Sequence, residues 1–252
     1  LPDTAFGMRV IASLPIVAER TMIFGPGSTL TGGGVHTAPG ITELSREWYF
    51  AEGTTAAPFR MSLLVVNPNG EGANGTVRFL TADGTSLARR YAIPPTARLA
   101  INVNEVVPEL GVATTIVSDR PVAAERALYW RNGGAGTARP GATAPAYSWS
   151  FADGRTSGDY QQFLLISNPS RAQARVDVGF ILADGTRASR SFVMPAGSRY
   201  AMAVHELYPE QTTIAATVRA TQPVVVERSV YAGAPANAAS RGGETALGVP
   251  GN

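Results

Sequence analysis

The chain has 252 residues, 44% apolar and only 16% charged, enough to bury a substantial core and to exclude global disorder. Cysteine is absent and all 21 basic residues are arginine, which removes disulfides, thiol catalysis, the commonest zinc sites and lysine Schiff bases. The net charge of +2 is scattered with no basic patch for nucleic acid, and no run of eighteen apolar residues is present to span a membrane.

The elements, taken in chain order, repeat. Pro15-Ile-Val-Ala-Glu-Arg-Thr-Met-Ile-Phe24 opens the series and returns as Pro121–Trp130 and Pro223–Ala232. A Gly-rich tract follows each copy: Gly33–Gly40, Gly133–Gly141 and Gly242–Gly248. A free linker need not keep its wording, so these tracts are expected to be ordered parts of the module. Next comes Trp48-Tyr-Phe-Ala-Glu-Gly53, an apolar run ending at Asn67-Pro68, and Ala82-Asp-Gly-Thr85. Asp83-Gly84 between apolar runs predicts a two-residue hairpin turn, and proline ends a central strand. Ala97, Leu99, Ile101 and Val103 alternate with Arg98, Ala100 and Asn102, the period of a half-buried strand. Gly111–Ser118 and Pro121–Trp130 then read as a further strand pair.

The whole order recurs at an offset of 101. Residues 48–109 and 149–210 are identical at 24 of 62 ungapped positions. If the part before the Pro-Glu turn (Pro108-Glu109, repeated as Pro209-Glu210) is A and the part after it is B, the chain reads B-A-B-A-B. This predicts an all-β protein of tandem immunoglobulin-like β-sandwich modules with Gly-rich connections. Residues 1–47 are a partial module (final strands plus the Gly-rich tract), and 48–148 and 149–252 are sandwich modules. One B is surplus: residues 1–40 if each A is completed by the B after it, 208–248 if by the B before it. The surplus strands carry Val10, Ile16, Val17 and Met22 in the first case, or Val218, Val224, Val226 and Val230 in the second. An uncovered strand edge is a template for another chain.

The ordered set WYFAEGTT, LLVVNPN, TADGT and PVAAERALYW resembles a tandem repeat of large secreted or surface-attached bacterial proteins. That resemblance covers nearly the whole chain. It implies an extracellular, cell-surface repeat array and supplies no catalytic residues to transfer. The last copy departs from the pattern at Ser150, Asp153 and its shortened Tyr231-Ala-Gly end.

The repeated Glu-Arg pairs are the first candidate chemistry: Glu19-Arg20, Glu125-Arg126 and Glu227-Arg228. Strand neighbours point to opposite faces, so one pair cannot serve one catalytic site. Each arginine lies on an apolar face and requires a carboxylate or carbonyl partner, with Glu52 and Asp153 the expected ones. The pairs are therefore read as structural struts. Glu52 and Asp153 are copies of one position in different modules, which argues against a glycosidase carboxylate pair. His205 aligns with Asn104, where a small capping residue suffices, and His36 aligns with Gly136. Two separated histidines hold no metal. Trp130, aligned with Ala232, is expected to be exposed, and with Tyr49 it is the candidate glycan contact. Asn74-Gly-Thr76 matches a glycosylation sequon by pattern. The expectation is a non-enzymatic structural protein without cofactor, assembling head to tail into a filament or array. The alternative is a carbohydrate-binding adhesion module.

Overall fold

The computed structural model describes residues 5–25, 34–233 and 242–251. The chain is almost entirely antiparallel β. A hairpin, β1 (Glu19–Phe24) and β2 (Gly34–Pro39), precedes two units built to one plan. The first comprises β3 (Ser45–Phe50), β4 (Arg60–Asn67), β5 (Ala73–Leu80), β6 (Ser86–Ile93), β7 (Ala97–Asn102), β8 (Ala113–Trp130) and β9 (Ala135–Pro140). The second repeats them as β10 (Ala146–Phe151), β11 (Tyr160–Asn168), β12 (Ala174–Ile181), β13 (Arg187–Met194), β14 (Ser198–Ala203), β15 (Ala215–Ala232) and β16 (Gly242–Leu247). It adds a four-residue helix, α1 (Val204–Leu207), and the short β17 (Val249–Pro250). Among the described residues no helix is long and apolar enough to cross a membrane. The expected divisions at 47/48 and 148/149 fall inside β3 and β10, because each of those strands begins before its tryptophan.

Each unit is organised by one eighteen-residue strand that belongs to two sheets. The first half of β8 pairs with β3 and β5, and its second half with β4 and β9. The expected strand pair is thus a single strand. Pro121 sits at the crossover between the two ladders, where no N–H is required. Pro223 does the same in β15. The crossovers are pinned by indole N–H donors: Trp48 to the Val122 carbonyl at 2.9 Å, and Trp149 to that of Val224 at 2.8 Å. One core lies between the two sheets of each unit, around Trp48, Phe50, Leu63 and Phe79 in the first and Trp149, Leu164, Ile166 and Phe180 in the second.

Two local expectations change. Leu80 pairs with Ser86, so Asp83-Gly84 lies in a five-residue turn. Asp83 accepts from Thr81 Oγ1 and the Thr85 amide, which hold its pKa down to about 2, while Gly84 takes φ +84°. Asn104 and His205 do not cap. Asn104 accepts from the Met61 amide, and His205 Nδ1 lies 3.0 Å from the carbonyl of the equivalent Gln162, so both tie the following segment to the central strand.

Each A half is completed by the B that follows it, which makes the N-terminal B the surplus. Among the described residues, its stretch corresponding to the first half of β8 pairs with no A-type sheet. Val10, Ile16 and Val17 accordingly lie outside any strand and exposed, Val17 at 93%. Only Glu19–Phe24 forms a strand, because β2 supplies it a partner. The described parts of the Gly-rich tracts run mainly as strands, β2, β9 and β16, with turns or strand ends at Gly40, Gly133, Gly134, Gly141 and Gly248. Gly33 lies outside the described residues.

Candidate functional site: the junction between repeats

Alternation along β8 sends Glu125 and Arg126 in opposite directions. Arg126 pairs across from Leu63 and shares the inner face with Leu128 and Trp130. Glu125 pairs with Leu64 and shares the outer face with Ala127 and Tyr129. In the second unit, Glu227 and Tyr231 likewise lie on the outer face of their sheet. That face packs on the first unit, where Arg126 meets it.

The result is a chain of ion pairs between successive repeats. Arg126 Nη1 lies 2.7 Å from Glu227 Oε2, with side chains 0% and 1% exposed. The same nitrogen donates to the backbone carbonyl of Glu52 at 2.9 Å, and the Glu52 amide donates to Glu227 Oε2 at 2.6 Å. Ser229 Oγ donates to Glu52 Oε2 at 2.7 Å. Arg126 Nη2 reaches Thr245 Oγ1 at 3.3 Å, and Arg139 Nε donates to the Thr245 carbonyl at 2.9 Å. Burial works against the charge on Arg126, but Glu227 and Glu52 beside it raise its pKa above the ordinary value. Arg199, also buried, is lowered by desolvation despite the same carboxylates. Its amide donates to the Thr81 carbonyl at 3.1 Å, and its guanidinium occupies the space where a Gly111 side chain would stand. Aromatic rings flank these charges. Trp130 and Tyr231 meet edge-on, centroids 5.4 Å apart, with Phe59 against both. Burial raises the Tyr231 hydroxyl well above its usual range.

The hairpin meets the first unit in the same way. Arg20 pairs with Glu125 at 2.9 Å, with side chains 33% and 16% exposed. Phe24, at the position of Trp130, meets Tyr129 edge-on at 5.0 Å. His36 Nε2 lies 3.2 Å from the Tyr129 hydroxyl, and burial, Arg20 and Arg139 push the imidazole down to about 4. The hairpin register places His36 opposite Met22 as Thr137 stands opposite Leu128, so His36 aligns with Thr137 and not with Gly136.

Several expected roles are corrected by this geometry. The carboxylate partner of Arg126 is the glutamate of the next repeat's own Glu-Arg pair, while Glu52 offers its backbone carbonyl. Arg228 binds the Asp153 backbone carbonyl and the carboxylate of Glu244. Glu19 is exposed and forms no ion pair among the described residues. Met22 faces the first unit, accepting from the Tyr129 hydroxyl at 3.5 Å. Trp130 is buried at 1% exposure, so its ring is closed to a sugar. Tyr49 is half-buried and donates to Glu47 at 2.5 Å, which with burial raises its hydroxyl above the ordinary range. Asn74 is engaged, its side-chain amide donating to Asp119 at 3.0 Å. Sequence reading missed Arg199, Thr245 and Phe59. The usable signal was alternation itself, because Glu and Arg on opposite faces of a repeated strand must meet their counterparts in the neighbours.

Among the described residues no cluster of His, Asp or Glu has the grouping to hold a metal ion. Residues 133–246 match the family described as a family of unknown function (DUF5719), a stretch running from the turn before β9 into β16. No curated protein sequence matches the chain. Among solved structures, Thermotoga maritima 1070 is similar at 18% identity over 42% of this chain and 96% of its own, with TM-score 0.38. The Anabaena sensory rhodopsin transducer is similar at 18% identity over 34% of this chain and 99% of its own, with TM-score 0.30. These likenesses are too distant to bear on function.

Proposed function

We propose that this is a non-enzymatic structural repeat protein of the bacterial cell surface. In this reading its immunoglobulin-like sandwich modules are rigidly coupled and build an extracellular filament or array by head-to-tail contact. The observation that carries the reading is the junction itself. Arg126 and Glu227 are buried together between units, and the hairpin repeats the pattern with Arg20 and Glu125. Buried charge at a contact fixes one register and penalises every other, since a shifted contact leaves ions without partners. A stack of such contacts extends by the same rule at each step. The immunoglobulin-like description is supported by units of about a hundred residues with antiparallel strands in two packed sheets. The resemblance to tandem surface repeats supports the extracellular location.

The test is electron microscopy of the purified protein. Fibres with a regular axial repeat are the expected outcome, and dispersed globules at every concentration would sink the proposal. Small-angle scattering checks the coupling: one fixed arrangement of the units must fit, and a broad spread of angles between them counts against it.

A second reading, a glycan-binding adhesion module, draws on one observation. Tyr49 lines a groove of about 690 Å³ between the units, with Thr76, Arg78, Ser170 and Arg171. Binding of cell-wall glycans that is lost in Tyr49→Ala would favour it.

A further inference from the structure

The second unit ends in a cavity of about 350 Å³ lined by Asp153, Gly154, Tyr160, Val230, Ala232 and Glu244, among others. The repeat alignment sets these residues at the positions of Glu52, Gly53, Phe59, Leu128, Trp130 and Thr137. In the first unit those positions hold the outer face of the second, with Tyr231 against Phe59 and Trp130 and Glu227 on Arg126. Arg228 stands beside this cavity as Arg126 stands at the internal junction. It keeps the equivalent bond to a backbone carbonyl, Asp153 for Glu52. Its carboxylate partner is the half-exposed Glu244 from its own hairpin, where Arg126 has Glu227 of the next repeat.

The opposite end of the molecule carries the complementary surface. The outer face of β1 presents Glu19, Thr21 and Ile23, all exposed. Thr37 on β2 pairs with Thr21 as Thr245 pairs with Ser229. Glu19, Ile23 and Thr37 therefore occupy the positions of Glu227, Tyr231 and Thr245, three of the residues that engage the first unit at the internal junction.

We infer that this cavity is the socket for the β1–β2 hairpin of a second copy of this chain, with Arg228 taking Glu19 of the incoming copy and Ile23 entering where Tyr231 enters within the chain. The inference rests on the assembly reading above and names its contact. Arg228 is cationic and Glu19 anionic, and Thr37 supplies the hydroxyl that Thr245 offers to Arg126. Ala232 in place of Trp130 and Ile23 in place of tyrosine make this junction smaller in contact than the internal one, so it is the weaker, separable joint. The two surfaces differ, so the contact is heterologous and propagates unless rotation closes a ring.

Sedimentation velocity on the whole chain tests this. Wild type is expected to associate with concentration. Glu19→Arg, at an exposed position, is expected to weaken association at least about tenfold, as does Arg228→Glu. Each variant alone sets like charges against each other at the joint. In a mixture of the two, every hairpin finds a socket of opposite sign on the other variant, so association returns with the two variants alternating. Ile23→Tyr is expected to tighten association. Should Arg228→Glu fail to fold, Glu19→Arg and Ile23→Tyr decide the matter alone. Polymers that persist unchanged in Glu19→Arg overturn this junction and leave head-to-tail assembly standing by another contact. A wild type that never associates overturns the assembly reading itself.

Discussion

The two junctions of this chain are written in the same residues and differ in what surrounds them. At the internal junction a complete sheet packs on a complete sandwich, and Arg126 and Glu227 are sealed from water. At the hairpin junction two strands lie on the outer face of the first unit, and Arg20 is a third exposed. The difference goes with the segment that carries Val10, Ile16 and Val17, which lies outside any strand and joins no A-type sheet among the described residues. A motif therefore sets which residues meet, while the flanking sheet sets how much each meeting contributes.

The largest effect is expected at Arg126. Arg126→Ala leaves Glu227 buried with Glu52 nearby and no cation in contact, which costs about 3–5 kcal/mol. Replacing Arg126 by methionine and Glu227 by leucine together should cost much less than either change alone, since no orphaned charge remains. Chemical denaturation of the three proteins measures this. Equal losses in single and double variants would show that packing, and not charge, holds the junction.

The aromatic pairs extend the comparison. Trp130→Ala empties a buried site against Phe59 and Tyr231, at a cost of about 3–5 kcal/mol. Phe24→Ala removes the equivalent ring from the more open junction and costs about 1–2 kcal/mol. Thermal melts give the ranking, and a Phe24 effect as large as that of Trp130 would mean the hairpin is no peripheral arm.

Much of this plan was legible in the sequence. The duplication and the β periodicity followed from spacing, and the ordering of the Gly-rich tracts from their repeated wording. Two kinds of information were missing. Strand patterning says that Arg126 faces an apolar side but not whether its partner belongs to the same unit, and the nearer Glu52 is the natural assignment. The last copy sets Ala232 at the position of Trp130, which points to exposure, whereas Trp130 is buried by Tyr231 of the following repeat. In both cases the deciding neighbour lies about a hundred residues away across a packed interface. Pro121 reads as a break between strands because nothing in the sequence reveals a strand that changes sheets.

Acid separates the junctions a second way. Docking holds His36 near pKa 4, below the 6.5 of a free imidazole, because burial and the cations Arg20 and Arg139 oppose its protonation. A lowered pKa in the docked state means that the released hairpin binds the extra proton. Docking strength is then fully present above pH 6.5 and declines as pH falls from there toward about 4. Thr137 stands at the equivalent place in the internal junction and does not titrate. NMR signals of Glu19–Phe24 should shift toward a released hairpin across that window while those of the units stay fixed, and His36→Asn should flatten the response. Coincident loss of hairpin and unit signals would contradict it.

The smallest effect is expected from Arg20→Ala. Its ion pair with Glu125 is partly solvated, and such pairs contribute up to about 1 kcal/mol. Glu125, at 16% exposure, keeps access to water when its partner is removed, unlike Glu227, so the penalty of an orphaned ion does not arise. Global stability should stay within error of wild type. Hydrogen exchange should quicken in β1 and β2 alone, because those strands draw their order from the docked face. Raising salt should shrink the difference between Arg20→Ala and wild type, while leaving the cost of Arg126→Ala unchanged, since screening reaches the first pair and not the second. If salt erased both differences, the internal pair would have to be open to solvent, and the contrast between the junctions would fail.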